Sequence, residues 1–260
     1  MKMMKIRLTK IHYLLSLIFG LWLGVAQAQF QVGPMVIQTN TTRGMAHGMI
    51  EVKNVGRETA HLRVYSEPFT YDADGFKSLK TSPQDLSHYL VYAPRQLRIR
   101  PGQKRRIRLN VRFLPSTKLG EYRAMIFTED VKPHQSDTPQ MGVVPRIGTA
   151  VFVRHGNIKP QLSVQGATYK DKRIVLRVNN TGKATARPRV NWVLKKSWRE
   201  IATGRSNVQT VIAQGQRNVQ IKSPEIEGLR SGTYQLSGEL VWGAGEKNEL
   251  PFQQQVVVPW

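Results

Sequence analysis

The residues able to do covalent chemistry are few and poorly spaced for it. The 260-residue chain has no cysteine, which excludes a thiol nucleophile and a thiolate metal site. Its six histidines (His12, His47, His61, His88, His134 and His155) show no His-x-x-x-His or related ligand spacing. No Gly-x-Ser-x-Gly and no phosphate-cradling glycine loop occurs. Asp72-Ala73-Asp74-Gly75 opens like a calcium loop, but no acidic residue closes it at the required distance, so it reads as a turn. With 17 acidic residues against 39 Lys and Arg, a carboxylate pair for hydrolysis is disfavoured. The chain reads as non-enzymatic, with no cofactor and no metal.

The composition supplies cations instead. The formal net charge is +22, which attracts anionic partners. Arg106, Arg108 and Arg112 alternate with Ile107, Leu109, Val111 and Phe113, so they form a basic row on the outward side of a half-buried strand. The first residues argue against nucleic acid as the partner. Lys2, Lys5, Arg7 and Lys10 precede the apolar run Leu14 to Val25, and Ala26-Gln27-Ala28 is a small-x-small cleavage site. This is the pattern of a secretory signal peptide, residues 1–28, cut after Ala28. The run is short for a spanning helix, and no later segment is apolar enough to cross a membrane. Four of the 22 net positive charges lie in that leader, which leaves +18 on the exported chain. An exported chain without disulfides is held by its cores alone, a state consistent with bacterial export.

The elements that must position these residues are strands. Ile50 and Val52, Leu62 and Val64, and Leu97 and Ile99 alternate with polar neighbours. Pro101-Gly102 and Asp72–Gly75 are turn signals between such runs. Many short strands and no long amphipathic helix predict an all-β chain. An internal echo predicts two copies of one architecture. VKNVGRETAHLRV (Val52 to Val64) aligns without gaps to VNNTGKATARPRV (Val178 to Val190), matching at Val, Asn, Gly, Thr, Ala, Arg and Val. Gly102-Gln103-Lys104 is echoed by Gly215-Gln216-Arg217, and Gly120-Glu121-Tyr122 by Gly232-Thr233-Tyr234. Asn-x-Gly is expected to supply the positive φ of a tight hairpin. A Tyr just after Gly at the start of a late strand matches the tyrosine corner of immunoglobulin-like sandwiches. The expected fold is therefore two tandem immunoglobulin-like β-sandwiches, residues 29–157 and 158–260, joined through Gly156–Pro160. Trp192 and Trp242 are expected to fill the second core.

The first half resembles the first domain of the periplasmic pilus (fimbrial) assembly chaperones. IEVKN (Ile50 to Asn54) is similar to the end of that family's second strand. LVYAPRQLRIRPGQKRRIRL (Leu90 to Leu109) is similar to its Pro, alternating strand, Pro-Gly turn and basic strand. LGEYRAMIFTED (Leu119 to Asp130) and VPRIGTAVFVRHG (Val144 to Gly156) are similar to its last two strands. The resemblance covers roughly residues 30–160, and the Tyr122-Arg123 pairing looks like that of divergent, archaic-type members. The second half shares only the family's general character.

The resemblance implies a periplasmic chaperone that lends its last first-domain strand to a pilin-like subunit by β-strand addition. It further implies delivery to an outer-membrane usher, and neither nucleic acid nor a transmembrane anchor after cleavage. Met141, Val143 and Pro145 take the places of the donated apolar row. Pro145 cannot donate a main-chain hydrogen bond, so it must lie where none is required. The family's basic pair for the subunit's C-terminal carboxylate does not carry over: Gln38 stands about where the Arg belongs, and Gly148 and Ala150 about where the Lys belongs. Arg123 and Arg146 are the candidate replacements, since a guanidinium can take a carboxylate through two hydrogen bonds. The competing use of the scaffold is a structural or adhesive surface protein without strand donation.

Overall fold

A computed structural model of the chain describes residues 30–131 and 144–260. The expected leader and the donor-row residues Met141 and Val143 lie outside the described residues.

The first sandwich is built from β1 (Phe30–Gly33), β2 (Val36–Asn40), β3 (Met45–Asn54), β4 (Ala60–Glu67), β5 (Phe69–Tyr71), β6 (Phe76–Ser78), β7 (Leu90–Ala93), β8 (Gln96–Ile99), β9 (Lys104–Arg112), β10 (Gly120–Asp130) and β11 (Arg146–His155). A four-stranded sheet, β1-β3-β9-β7, packs on a five-stranded one, β2-β11-β10-β4-β8. The alternating residues Ile50, Val52, Leu62, Val64, Ile107, Leu109, Ile126 and Val153 meet between them. Each such side chain, once fully buried, stabilises by about 1.5–3 kcal/mol. The chain passes from one sheet to the other at the cis peptide Gly33–Pro34, after which β2 runs parallel to β11.

The second sandwich comprises β12 (Leu162–Lys170), β13 (Arg173–Asn180), β14 (Arg189–Lys196), β15 (Arg199–Arg205), β16 (Gly215–Ile221), β17 (Gly232–Trp242) and β18 (Asn248–Val258). Its sheets are β12-β13-β16 and β15-β14-β17-β18. Trp192 is buried in this core, while Trp242 is half-buried at its margin. The all-β, two-sandwich expectation is met.

The echoed landmarks do the same work twice. Asn54 and Asn180 are both buried at the ends of core strands. Asn54 donates from Nδ2 to the carbonyls of Glu58 and Ile99, and its Oδ1 accepts from Gly56 N–H. Asn180 donates from Nδ2 toward the carbonyls of Ala184, Val211 and Ile212, and accepts from Gln161 and Gly182 N–H. Each side chain thus satisfies backbone groups that the passage between sheets leaves unpaired. Both tyrosine corners close four residues back: Tyr122 O–H donates to Lys118 O (3.0 Å) and Tyr234 O–H to Arg230 O (2.9 Å).

One local expectation fails. Gly56 and Gly182 are not among the positive-φ glycines. The Asn side chain, not a left-handed glycine, turns the chain. Gly182 is required for space: a Cβ there would lie 2.4 Å from Gln161 N and from Lys159 O.

Candidate functional site

The candidate site lies on the outer face of the five-stranded sheet and at its junction with the second sandwich. The strands β10 and β11 do not alternate between apolar and polar. Ala124-Met125-Ile126-Phe127 and Ala150-Val151-Phe152-Val153 are apolar on both faces, the mark of a sheet covered on both sides. The inward set joins the first core. The outward set (Met125, Phe127, Ala150 and Phe152) forms a second apolar layer with Phe69 and with Ile212 from the second sandwich.

Phe69 belongs to the β5–β6 hairpin, which crosses this layer as a strap. Its ring is fully buried, edge-on to Phe152 with centroids 5.5 Å apart and stacked on Phe76 at 5.9 Å. Asp72 tightens the tip by accepting from Asp74 and Gly75 N–H (2.9 Å each) and by pairing with Lys77 at 2.8 Å. Lys77, with these two backbone bonds, holds the Asp72 carboxyl down at about 2. Beyond its tip the strap reaches the second sandwich: Asn218 N–H donates to Ala73 O (2.7 Å), and Asn218 Nδ2 donates to Asp74 Oδ1 (3.0 Å).

Arg123 sits under the strap's root. It is buried, and its Nε donates to the Phe69 carbonyl oxygen at 3.1 Å. Burial lowers its pKa, against the pull of the Glu121 charge. It borders a cavity of about 650 Å³ at the junction, shared with Gln84, Glu121, Lys118 and Lys183. The expected anchor is therefore sequestered behind its own strap, with one face toward a cavity.

Arg146 is placed differently. It lies at the start of β11, over the Phe127 ring at 4.1 Å, donates to the Tyr65 hydroxyl at 3.2 Å and stands 3.7 Å from Glu67. The structure does not bring Arg123 and Arg146 together: in the β10–β11 register Arg123 pairs with Phe152 and Arg146 with Glu129. Of the donor row, Pro145 is described; its carbonyl accepts from Asp130 N–H at 3.3 Å.

Three arginines and a threonine that sequence reasoning missed complete the junction. Thr185, the Thr of the second echo, is fully buried. Its hydroxyl donates to Glu121 Oε1 and its N–H to Glu121 Oε2 (2.8 Å), while its carbonyl accepts from Arg154 Nη2 (2.7 Å) and Gln38 Nε2 (3.4 Å). Burial pushes the Glu121 carboxyl up, opposed by the Thr185 bonds and by the Arg154 and Arg123 charges. Alongside lies a notch of about 700 Å³ lined by Gln38, Asn40, Arg154, Lys159, Arg187 and Arg189. The buried Nε atoms of Arg154, Arg187 and Arg189 have no hydrogen-bond partner among the described residues. Arg154 Nε stands 3.7 Å from Glu121, and Arg189 Nε 3.8 Å from Glu246, which also lines the notch, so Arg187 has the least compensated charge there. Such a notch suits an anion. No periodicity signals these residues, since they converge only when the two sandwiches meet.

The outer edge of β11 is the other half of the site. Val36, the first residue of β2, pairs with Ala150, and Ala150 N–H donates to Met35 O at 2.9 Å. At Thr149 the edge is still covered, since that residue is buried and its hydroxyl donates to Pro34 O at 3.1 Å. From Arg146 to Gly148 the strand pairs with β10 alone.

No family model and no curated relative matches the chain. Among solved structures it is similar to the class 5 fimbriae chaperone CfaA, at 14% identity and a TM-score of 0.51, over 89% of this chain and 100% of that one. It is similar to a chain of the chaperone–tip adhesin complex of CFA/I fimbriae biogenesis, at 15% identity and a TM-score of 0.50, over 90% of this chain and 100% of that one. At such identity the likeness is one of fold. The chain has the two-sandwich fold of the fimbrial chaperones, as the resemblance in its first half implied.

Proposed function

We propose that this protein is an exported chaperone that holds incomplete pilin-like subunits by adding a strand to them. The observation that carries the reading is the open edge of β11. Arg146–Gly148 presents its outward backbone groups on a side with no strand partner among the described residues, and an unpaired edge is a template for another chain. Met141, Val143 and Pro145 precede that edge and would supply the alternate side chains for the partner's groove. The subunit's carboxylate terminus would be held at the junction, where Arg123 and the Arg154–Arg187–Arg189 notch replace the family's missing pair. Delivery to an outer-membrane usher from the periplasm completes the reading.

The test is co-purification from the periplasm of the source cell, with wild-type protein and the variants Val143→Asp and Arg123→Ala, each checked for an unchanged melting transition. The reading expects a pilin-like subunit with the wild type and its loss from both variants. Recovery of the same partners by all three proteins would remove strand donation and leave the structural or adhesive use of the scaffold.

A further inference from the structure

The end of the second sandwich remote from the junction carries a feature that subunit binding does not use. β14 runs away from the notch, from Arg189 to Lys196, and turns back at Ser197-Trp198 into Arg199. Its eight residues place the turn roughly 25 Å from the junction. Ser197 holds a positive φ, as a two-residue hairpin turn requires. Trp198 at the apex is 92% exposed, whereas Trp192, six residues earlier, is buried.

The same end collects a second tryptophan. Lys195 pairs with Gln235, Gln235 with Gln255, and Gly232 with Val258. Val258 therefore ends at the level of the β14–β15 turn, and Trp260, just beyond it, is fully exposed. Val257 is exposed beside it. Lys195, Lys196 and Arg199 flank the Trp198 turn, with Glu200 the acid of the same hairpin. Lys196 Nζ stands 5.1 Å over the Tyr234 ring, on the side of the turn.

A single exposed apolar side chain is ordinary, but Trp198, Trp260 and Val257 are exposed at one end of one sheet. The apex is convex, so it fits a deformable surface better than a rigid protein pocket. An indole flanked in its hairpin by Lys195, Lys196 and Arg199, against the single acid Glu200 opposite Lys195, matches the boundary of an anionic bilayer. The ring enters the headgroup level while the cations meet phosphates. We infer that the Trp198 hairpin, with Trp260 at the same end of the sheet, is a docking tip for an anionic lipid surface. This inference is independent of strand donation, whose described residues Pro145 and Arg146 belong to the first sandwich.

The experiment is flotation of the mature chain with vesicles of phosphatidylcholine alone and of phosphatidylcholine mixed with phosphatidylglycerol, together with quenching of tryptophan emission by brominated lipid. Wild-type protein is expected to float with the phosphatidylglycerol vesicles and to be quenched there. Trp198→Ala, which keeps every charge, is expected to lose most of the quenching and about tenfold of the partition. The pair Lys195→Gln with Arg199→Gln is expected to lose about thirtyfold. The pair Arg106→Gln with Arg108→Gln, on the first sandwich, is expected to change partition by less than about fivefold. The inference is overturned if phosphatidylglycerol gives no binding, if Trp198→Ala floats and is quenched like wild type, or if the Arg106 and Arg108 pair matters as much as the hairpin pair. An acidic protein as the true occupant would appear as unquenched Trp198 on vesicles, which overturns it equally.

Discussion

The two sandwiches share an interior and differ on their skins. Both turn the chain between sheets with a buried asparagine, and both close a tyrosine corner onto a carbonyl four residues back. Outside that interior they part. The first sandwich carries an apolar layer on the outer face of its larger sheet, where Met125, Phe127, Ala150 and Phe152 lie beneath the strap. The second presents Gln235, Gln253 and Gln255 on the corresponding face, with Asn191 Nδ2 donating to Glu239 Oε1. The echoed pair Thr59 and Thr185 divides in the same way: Thr59 is half-buried, while Thr185 is the buried hub of the junction. The duplicated interior holds the fold, and the unduplicated skin carries what the molecule does to others.

The comparison breaks most visibly at the asparagines. Asn180→Ala takes its bond from the carbonyls of Ala184 and Ile212 and from two N–H groups, while Val211 O keeps its bond from Ala186 N–H. It should cost about 3–5 kcal/mol. Asn54→Ala should cost slightly less. If the sandwiches are separate folding units, calorimetry will show each variant lowering its own transition and leaving the other in place. A single transition lowered by both variants would show instead that the junction fuses them.

The skins are compared by truncation. Phe152→Ala removes a fully buried ring from the layer under the strap and should cost about 3 kcal/mol. Gln253→Ala, exposed on the second sandwich, should stay within about 0.5 kcal/mol. Urea midpoints at constant slope would report both. Equal losses would mean that the outer layer is dispensable to the first sandwich.

The smallest effect is a titration. Asp72, with its carboxyl held at about 2, stays ionised through mild acid. Its native pKa lies below that of the unfolded chain, so its contribution is present above pH of about 4 and is lost as pH falls toward about 2. Carbon-13 NMR of the carboxyl should find that low midpoint. Lys77→Ala, which removes the largest cause, should move it upward. An ordinary aspartate titration in the wild type would show that the strap's tip is not ordered as described.

The interior was legible because repetition and period are properties of sequence. Val52 to Val64 and Val178 to Val190 declared themselves by alignment, and Ile107, Leu109 and Val111 by alternation. The glycines of the echo were misread for a physical reason: Gly182 is needed for a close backbone approach, which no local pattern reveals. The second apolar layer was half legible. Met125 and Phe127, set outward on a strand already apolar inward, signal a covered face without naming Phe69 as its cover. The junction was illegible, because Arg154, Arg187, Arg189 and Thr185 are brought together by the docking of two bodies.

The strap turns a joint into a bracket. Gly156–Pro160 is a short connection whose far end packs against Gly182. To this and to the buried Thr185 contact the hairpin adds a further attachment between the same two bodies, anchored at its root by a buried phenyl ring and fastened at its tip by one backbone and one side-chain bond from Asn218. Attachments at separate points fix a direction where one alone leaves a swivel. A load that spreads the sandwiches would strip the polar tip first and draw the ring last. Under such a load the molecule should show a stiff range, a yield point and a looser range beyond it, set by a few residues in neither core.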